Sequence, residues 1–379
     1  MCIGIVLNSL GLVRGGTETR AVQMATRLHR RGHRVWLAGG WWPGRSLPQA
    51  LLESGLEVIR LPAMPADWAP LRLLGRFSEF RAFRWQGRIF RFMARLSPWL
   101  KRRIGQADVT FTLQLRDTLW LSRRRRQLGR AHISYFTGGS PQMASLDQSH
   151  VKVANPRVLD AGHPSGQRDF DGVFPPGIPG SLLELPFEVR PQALCLLYVG
   201  RLEHNNGPLD LLDVFSLLWR DFPGLRLRYV GHGVQSRATR RKVKGKGLEE
   251  RVVFKGVLDQ QDVWKEMREA DLLVMPLRHG HFPLTLLEAS AVGLPVVTSD
   301  IPGVCNGCAP DSLKLPLDQS QIWSRALSQL IADQPARRRM SESGRRFAAA
   351  YTWEEIARNM ERMFHLALSR ASKPASRRL

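Results

Sequence analysis

Short apolar runs alternate along the chain with longer segments of helical periodicity. The apolar, β-branched residues 2–7 predict a strand, and residues 20–31 predict an amphipathic helix that ends at Gly32. Apolar runs at residues 35–38 and 56–61 predict two more strands. Because strands and helices alternate, this part of the chain predicts repeated βαβ units and a mainly parallel sheet.

The same alternation restarts near residue 194, after a stretch that is rich in Pro, Gly and Asp. An apolar run ends at Gly200, and a helical segment at residues 209–219 follows it. The further strands predicted in this half are 225–230, 252–254, 272–275 and 295–298. The low periodicity before the restart predicts an interdomain linker at residues 180–192.

Two α/β domains follow from these repeats. We predict an N-terminal Rossmann-like domain at residues 1–185 and a C-terminal Rossmann-like domain at 186–350. A C-terminal helix and a basic tail at 351–379 complete the chain. The expected fold is two doubly wound parallel sheets that face each other across a cleft. A ligand should lie at the carboxyl ends of the strands, where glycine-rich turns allow close approach of backbone.

The charge balance suggests an anionic partner. The chain has 56 Lys and Arg against 33 Asp and Glu, which gives a net charge of +23. Such a charge attracts nucleic acid, an anionic membrane surface or an acidic glycolipid, and composition alone leaves all three open. No motif that reads bases is present, so we expect no specific nucleic acid partner.

Four cysteines are too few for a disulfide framework in a chain of 379 residues, which indicates a reducing compartment. Cys305 and Cys308 form a lone C-x-x-C with no second pair or histidine to complete a zinc site, so we interpret them as loop residues. Residues 1–10 lack the basic segment and cleavage site of a signal peptide, and no apolar run is long enough to span a bilayer. We therefore expect a cytoplasmic protein that contacts the inner face of the membrane.

One segment, residues 71–104, departs from the βαβ pattern. Helical spacing places five arginines on one stripe and large apolar side chains on the opposite side. Such a segment is typical of an interfacial membrane helix, although an ordinary surface helix with solvated arginines has the same pattern. The five residues of this arginine stripe are Arg81, Arg84, Arg88, Arg91 and Arg95.

The chemistry-bearing residues follow two strands of the C-terminal half. The strand before Gly200 delivers Arg201 to the carboxyl edge of the sheet, where a guanidinium can bind a diphosphate. After the strand at 272–275, residues 281–288 open a helix whose Leu284 and Thr285 N–H groups can bind an anion. Glu288 lies one turn further along the same side, and its carboxylate can accept two hydrogen bonds from a ribose.

Three stretches of this half, together with one at the N-terminus, resemble glycosyltransferase family 4, the retaining group 1 enzymes of the GT-B fold. They read YVGRLEHNNGPLDLLDVF at 198–215, RVVFKGVLDQQDVWKEMREADLLVMP at 251–276, FPLTLLEASAVGLPVV at 282–297 and GGTETRAVQMATRLHRRGHRV at 15–35. The combination and order are specific, whereas any one stretch alone is weak.

The resemblance assigns roles to residues. It implies that Arg201 binds the diphosphate and acts in catalysis, that Glu288 binds the ribose, and that Lys255 and Gly256 hold the base through backbone. The positions that it implies for donor binding are Gly15, Gly16, Arg201, Asn206, Gly256, His281, Phe282, Pro283, Leu284, Thr285 and Glu288. It further implies retention of anomeric configuration, with no metal and no cofactor besides the nucleoside-diphosphate sugar as co-substrate.

Several positions depart from the family pattern. Gly280 stands where the family has an acidic residue that contacts the donor sugar, and Asn206 stands where it has a phosphate-binding lysine. Near residue 135 the chain has Tyr135 and Phe136 in place of a frequent histidine. Losing the lysine charge removes a charge-assisted hydrogen bond worth about 1.5–3 kcal/mol. A basic neighbour, Arg278, His279 or His281, is a candidate to compensate for it.

These observations favour a transferase that moves a sugar from a nucleoside-diphosphate sugar to a glycan or glycolipid acceptor of the surface polysaccharide or lipopolysaccharide type. The departures at Gly280 and Asn206 motivate an alternative, a GT-B-fold protein that binds sugar nucleotide or membrane with little or no turnover. Base, sugar, acceptor and oligomeric state are not fixed by the sequence.

Overall fold

The computed structural model describes residues 1–7, 16–41, 49–62, 97–113, 130–136, 149–154, 170–192, 194–280 and 282–372. The chain divides into two compact units. Unit 1 comprises Met1–Pro176 with Trp353–Leu379, and unit 2 comprises Gly177–Thr352. The arginine stripe, Gly15 and His281 lie outside the described residues, so their predicted roles stay predictions.

Unit 1 contains a parallel sheet whose strands follow the order β3-β2-β1-β4-β5-β6-β7. Its strands are β1 (Cys2–Leu7), β2 (Arg34–Trp41), β3 (Glu57–Pro62), β4 (Val109–Leu113), β5 (Ala131–Phe136), β6 (Val151–Ala154) and β7 (Gly172–Val173). Its described helices are α1 (Gly16–Arg30), α2 (Gln49–Leu52) and α3 (Pro98–Gln106), together with the C-terminal helix given below. The predicted strands at 2–7, 35–38 and 56–61 are confirmed within three residues at each end.

Apolar side chains cover both faces of this sheet. On one face the strands pack against α1 and the C-terminal helix, through residues such as Leu28 and Phe364 that are fully buried. On the other face they pack against α3, where Leu100 and Ile104 are buried beside Trp36. Such two-sided burial explains why the strands read as continuous apolar runs.

Unit 2 repeats the winding with six parallel strands in the order β10-β9-β8-β11-β12-β13. The strands are β8 (Cys195–Val199), β9 (Arg226–Val230), β10 (Val252–Gly256), β11 (Leu272–Met275), β12 (Val296–Ser299) and β13 (Leu313–Leu315). The helices are α4 (Ser181–Glu184), α5 (Pro208–Leu218), α6 (Ser236–Gly245), α7 (Gln260–Arg268), α8 (Leu284–Val292), α9 (Pro302–Cys305), α10 (Ser320–Ala332) and α11 (Gln334–Ala349), and α12 (Trp353–Ser372) then returns to unit 1.

The predicted fold class, two Rossmann-like α/β domains with parallel sheets, is confirmed. In unit 2 the strands predicted around residues 194–199, 225–230, 252–254, 272–275 and 295–298 all form, and one apolar core joins them to the helices on both faces. Among the described helices, none is long and apolar enough to cross a membrane.

Candidate active site

Arg201 follows the central strand β8 at the carboxyl edge of the unit 2 sheet. Its side chain is 76% exposed and its Nη1 lies 3.0 Å from a carboxylate oxygen of Glu203. An exposed ion pair of this kind contributes little free energy, so the guanidinium can exchange Glu203 for a phosphate. Its backbone is fixed more firmly, because Tyr198 Oη donates to the Arg201 carbonyl oxygen over 2.8 Å.

Asn206 also donates a hydrogen bond to the Arg201 carbonyl oxygen. Its Nδ2 donates to the Arg201 oxygen over 2.7 Å, and it ends a short 3-10 turn, His204–Asn206, before Gly207. The residue that stands where the family has a lysine therefore stabilises the Arg201 loop. Its amide supplies no positive charge to a diphosphate.

Two glycines let the loops after β8 and β9 approach each other closely. A Cβ on Gly231 would overlap the carbonyl oxygen of Gly200, and one on Gly233 would overlap that of Leu202. Gly231 also has a φ of +125°, which side chains with a Cβ rarely adopt. The neighbouring strand joins this packing, since the Gly231 N–H donates to the Gly256 carbonyl over 2.7 Å.

Gly256 ends β10 at a register shift, with a left-handed φ of +73°. A Cβ there would meet no atom within 4 Å, so the glycine is required by the backbone conformation alone. The side chain of the preceding Lys255 is directed to Glu266, with 2.8 Å between Nζ and Oε1. The Lys255 side chain is thus engaged, and the backbone contact to a base that the resemblance implies stays a prediction.

The helix α8 begins without a side-chain cap and without an acidic residue in its first turn. Pro283 is the N-cap, followed by Leu284 and Thr285. The free N–H groups and the positive end of the helix dipole make this nine-residue helix a potential anion site. Together with the exposed Arg201, it offers a diphosphate both a cation and backbone donors.

Phe282, just before this helix, has a left-handed φ of +54° that is unusual for a bulky side chain. Its N–H donates to the Gly303 carbonyl over 2.7 Å, and its ring lies 5.0 Å from that of Tyr351. Strained backbone of this kind persists when surrounding contacts over-determine it, and it occurs often at ligand sites.

Glu288 is buried one turn into α8, and Gln260 Nε2 donates to its Oε1 over 3.1 Å. Burial raises its pKa from 4.5 to about 7, and the neighbouring Trp264 and Gln260 side chains oppose that rise only in part. The Trp264 indole nitrogen is itself buried near this carboxylate. A buried carboxylate with spare acceptor capacity fits the diol of a ribose.

The Arg278 side chain binds two carboxylates. Its Nε and Nη2 donate to the two oxygens of Asp210 over 2.9 and 2.8 Å, and its guanidinium also pairs with Asp318. Its hydrogen bonds to these two carboxylates raise the pKa of Arg278. The guanidinium therefore has no free face to replace the missing lysine charge.

The loops that carry these residues contact one another. The Arg278 N–H donates to the Asn205 carbonyl over 2.9 Å, which joins the loop after β11 to the loop after β8. Gln260, the first residue of α7, joins the loop after β10 to α8 through Glu288. One edge of one sheet thus gathers a guanidinium, an open helix N-terminus, a glycine-rich backbone and a buried carboxylate.

Comparison with known proteins identifies this unit. Residues 187–347 match the family model described as Glycosyl transferases group 1. Over these residues, unit 2 is similar to the group 1 glycosyl transferases. At that level the family predicted from the sequence motifs is confirmed.

Curated relatives of this group 1 domain include a D-inositol 3-phosphate glycosyltransferase of Jonesia denitrificans, 29% identical over 182 residues that cover 45% of this chain and 43% of the relative. A glycogen synthase of Mycobacterium tuberculosis is 31% identical over 188 residues, 48% of this chain and 45% of the relative. The chain thus covers less than half the length of these relatives.

Solved structures match nearly the whole chain. Anabaena HepE in complex with UDP aligns with a TM-score of 0.70 at 15% identity, over 96% of this chain and 100% of HepE. Sucrose-phosphate synthase of Thermosynechococcus elongatus aligns with a TM-score of 0.69 at 18% identity, over 97% and 99%. These likenesses show the GT-B fold.

Sequence reasoning missed several residues of the group 1 domain that shape the site. Gly231 and Gly233 form a G-x-G after the predicted strand 225–230, a signal that would have located them. Gln260 has no such signal, because its role depends on the packing of α7 beside α8. Tyr198 reads as one more apolar strand residue until its hydroxyl is seen to donate to Arg201.

The C-x-x-C pair lies beside α8 without forming a disulfide. Cys305 Sγ approaches the Ser299 carbonyl at 3.8 Å, and Cys308 Sγ donates to the Cys305 carbonyl over 3.3 Å. Burial raises the pKa of both thiols, that of Cys308 to about 11, so both are protonated at neutral pH. In the part of the chain that is described, no group of three or more His, Cys, Asp or Glu residues could hold a metal ion.

Proposed function

We propose that this protein transfers a sugar from a nucleoside-diphosphate sugar to a glycan or glycolipid acceptor, with retention of anomeric configuration and without a metal cofactor. The observation that carries the proposal is the carboxyl edge of the unit 2 sheet, where Arg201, the open start of α8 and the buried Glu288 lie on contacting elements. No single one of these groups would be sufficient.

The diphosphate is bound by Arg201 and by the N–H groups of Leu284 and Thr285. As the bond between the anomeric carbon and the diphosphate breaks, negative charge builds on the leaving oxygen, and these fixed donors stabilise it. The acceptor oxygen then bonds to the same face of the sugar, and its proton passes to the leaving phosphate. This route explains why no general base stands out among the described residues of unit 2.

The nucleoside is bound by the loop after β10 and by Glu288. Backbone groups near Gly256 contact the base, and the ribose hydroxyls donate to the Glu288 carboxylate, which Gln260 holds in place. A uracil base is our first choice, because HepE, whose fold matches, has been solved with UDP and with UDP-glucose.

For the acceptor we propose a surface polysaccharide or lipopolysaccharide precursor held at an anionic membrane surface. The net charge of +23 supports such a surface, and among the structural neighbours is the lipopolysaccharide outer core galactosyltransferase WaaB. The arginine stripe is the proposed contact. A cytoplasmic protein that associates peripherally with the membrane would meet these requirements.

A second candidate is a protein that binds a sugar nucleotide with little turnover. Asn206 favours it, because its amide is engaged with the Arg201 carbonyl and leaves the phosphates with one cation fewer than the family pattern supplies. Gly280 likewise provides no carboxylate toward the donor sugar.

Nucleotide release separates the two candidates. Purified protein is incubated with UDP-, GDP- and ADP-sugars with and without a lipopolysaccharide-type acceptor, and free nucleotide is measured alongside the dissociation constant of each donor. The transferase proposal expects acceptor-dependent release with one donor class. Tight binding without release would support the second candidate, and absence of both across the panel would reject both.

A further inference from the structure

The Arg278 side chain joins three segments of unit 2 that are distant in sequence. It lies in the loop after β11, donates two hydrogen bonds to Asp210 in the first turn of α5, and pairs with Asp318 after β13. Its side chain is only 21% exposed. Such bidentate geometry restricts the carboxylate in orientation as well as in distance.

The backbone of the loop after β11 also contacts the turn at residues 204–206, which follows Arg201. The Arg278 N–H donates to Asn205, and a Cβ on Gly207 would overlap the carbonyl oxygen of Pro276. Gly207 is the N-cap of α5 and has a φ of +65°, so the chain turns sharply at the point where it is pressed against the β11 loop. The guanidinium bonds to Asp210 hold the helix start in that position.

The second carboxylate partner of Arg278, Asp318, has an unusual backbone conformation. It has a φ of +59°, which is uncommon for a residue other than glycine. Its carboxylate is 66% exposed, and its bonds to Arg278 lower its pKa. An exposed residue keeps an uncommon backbone conformation when its contacts impose it.

We infer that Arg278 is a positioning residue, which, through Asp210, Asp318 and the Asn205 carbonyl, fixes the turn at residues 204–206 and thereby aims Arg201 at the donor diphosphate. The link to Arg201 is the Asn206 amide, which donates to the Arg201 carbonyl from the end of that turn. This inference rests on the proposed function, because it takes the diphosphate as the ligand of Arg201.

Two features separate positioning from direct binding. Arg278 pairs with the carboxylates of Asp210 and Asp318. These three side chains together carry a net negative charge, which repels a diphosphate. Arg201 has only one exposed partner, Glu203, and can release it. Removing Arg278 therefore weakens nucleotide binding through the placement of Arg201, not through loss of a phosphate contact.

The test measures dissociation constants for UDP, GDP and ADP by calorimetry and uses the nucleotide that binds most tightly. Arg278→Met is expected to raise its dissociation constant roughly tenfold, since small misplacements of a binding group cost factors of this order or more. Arg278→Lys should recover part of the loss. Asp318→Asn, a change at an exposed side chain, should act in the same direction by about threefold and keeps the test valid if Arg278→Met does not fold.

A double-mutant cycle separates positioning of Arg201 from a general structural role. A general structural role would make Arg278→Met equally harmful with and without the Arg201 side chain. In an Arg201→Ala background, Arg278→Met should alter the dissociation constant by less than about twofold, because the group that it positions is gone. Equal losses in both backgrounds would overturn the inference. The matched control is Arg325→Met, an exposed arginine on α10, which should bind like the wild type.

The wild-type protein distinguishes the two levels of the argument. If it binds none of the three nucleotides, the proposed function fails and this inference fails with it. If the wild type binds and both Arg278→Met and Asp318→Asn bind equally well, only the inference fails.

Discussion

Units 1 and 2 share a winding order, but the close approaches among their described glycines lie at different places. In each unit the first six strands lie in the order third, second, first, fourth, fifth, sixth, and all the pairs are parallel. Among the described residues, unit 1 has a close approach inside the sheet, and unit 2 has close approaches at the carboxyl edge. Two units of the same fold can therefore use a close approach for different purposes, core packing in unit 1 and a candidate ligand site in unit 2.

In unit 1 the close approach is between Gly4 of β1 and Trp36 of β2. A Cβ on Gly4 would overlap the indole ring, which is fully buried against α3 residues. The glycine makes room for a large core side chain, and nothing about it points to a ligand.

In unit 2 the close approaches involve loops. Gly207, Gly231 and Gly233 each face a carbonyl oxygen of a neighbouring loop so closely that a Cβ would overlap it. Their packing brings the loops after β8, β9 and β11 together around Arg201. Among the described glycines, those whose Cβ would overlap neighbouring backbone most closely lie at the carboxyl edge of unit 2, where the candidate site is.

The largest effect is expected from Arg201→Ala. Removing one fixed donor to a developing negative charge typically costs about 10²–10³ in turnover. Acceptor-dependent nucleotide release should fall by that factor, with little change in melting temperature because the side chain is 76% exposed. Arg226→Ala, at the amino end of β9, removes an exposed arginine of the same unit and should leave release unchanged. Equal losses of nucleotide release in Arg201→Ala and Arg226→Ala would contradict the placement of the donor site at the carboxyl edge.

Much of the fold could be predicted from the sequence, because strands buried on both faces leave unbroken apolar runs. The strands 2–7 and 272–275 illustrate this, since every residue from Ile3 to Leu7 and from Leu272 to Met275 is buried. The prediction omitted β4, β6 and β7 of unit 1, and β13 and the short α9 of unit 2. Apart from β4, these elements have two to four residues and leave too little pattern to detect.

The site could be predicted only in part. Arg201 and Glu288 follow strand and helix signals, so their placement at the carboxyl edge could be derived. The partners of Arg278 could not, because Asp210 and Asp318 lie 68 and 40 residues away and meet it only through the sheet topology. The burial that raises the pKa of Glu288 likewise depends on how α7 packs on α8.

Glycine variants examine the comparison between the units directly. Gly231→Ala combines overlap with Gly200 and an unfavourable φ, so it should separate the β8 and β9 loops and raise the dissociation constant for UDP by roughly tenfold or more. Gly4→Ala should lower the melting temperature, since overpacking costs about 1–3 kcal/mol, but leave UDP affinity unchanged.

Gly247→Ala serves as the matched control for Gly231→Ala. It has a φ of +65° in the same unit, but its Cβ would meet no atom within 4 Å. It should show the backbone strain without the loop separation and bind UDP normally. If Gly4→Ala weakened UDP binding as much as Gly231→Ala, the proposed division between a core approach and a site approach would be wrong.

The smallest effect is a pH dependence that belongs to unit 2 through Glu288. Because burial raises its pKa to about 7, the carboxyl is mostly protonated at pH 6 and mostly ionised at pH 8. Ribose hydroxyls donate to the ionised form, so affinity for UDP-glucose should increase by up to about tenfold between these values. Titration calorimetry from pH 6 to 8 measures this, and a flat profile for the wild type would contradict the ribose role.

Glu288→Gln is the control for this pH dependence, and it also predicts the direction of a change in melting temperature. A carboxyl whose pKa is raised on folding stabilises the protein below its unfolded pKa of 4.5, and this contribution is lost as the pH rises through about 7. The glutamine cannot ionise, so its affinity for UDP-glucose should be lower than that of the wild type at pH 8 and independent of pH. Its melting temperature should nevertheless exceed that of the wild type at pH 8 and approach it below pH 5. A variant that loses affinity while gaining stability would show that unit 2 keeps a buried carboxylate for its ligand at a cost to its own fold.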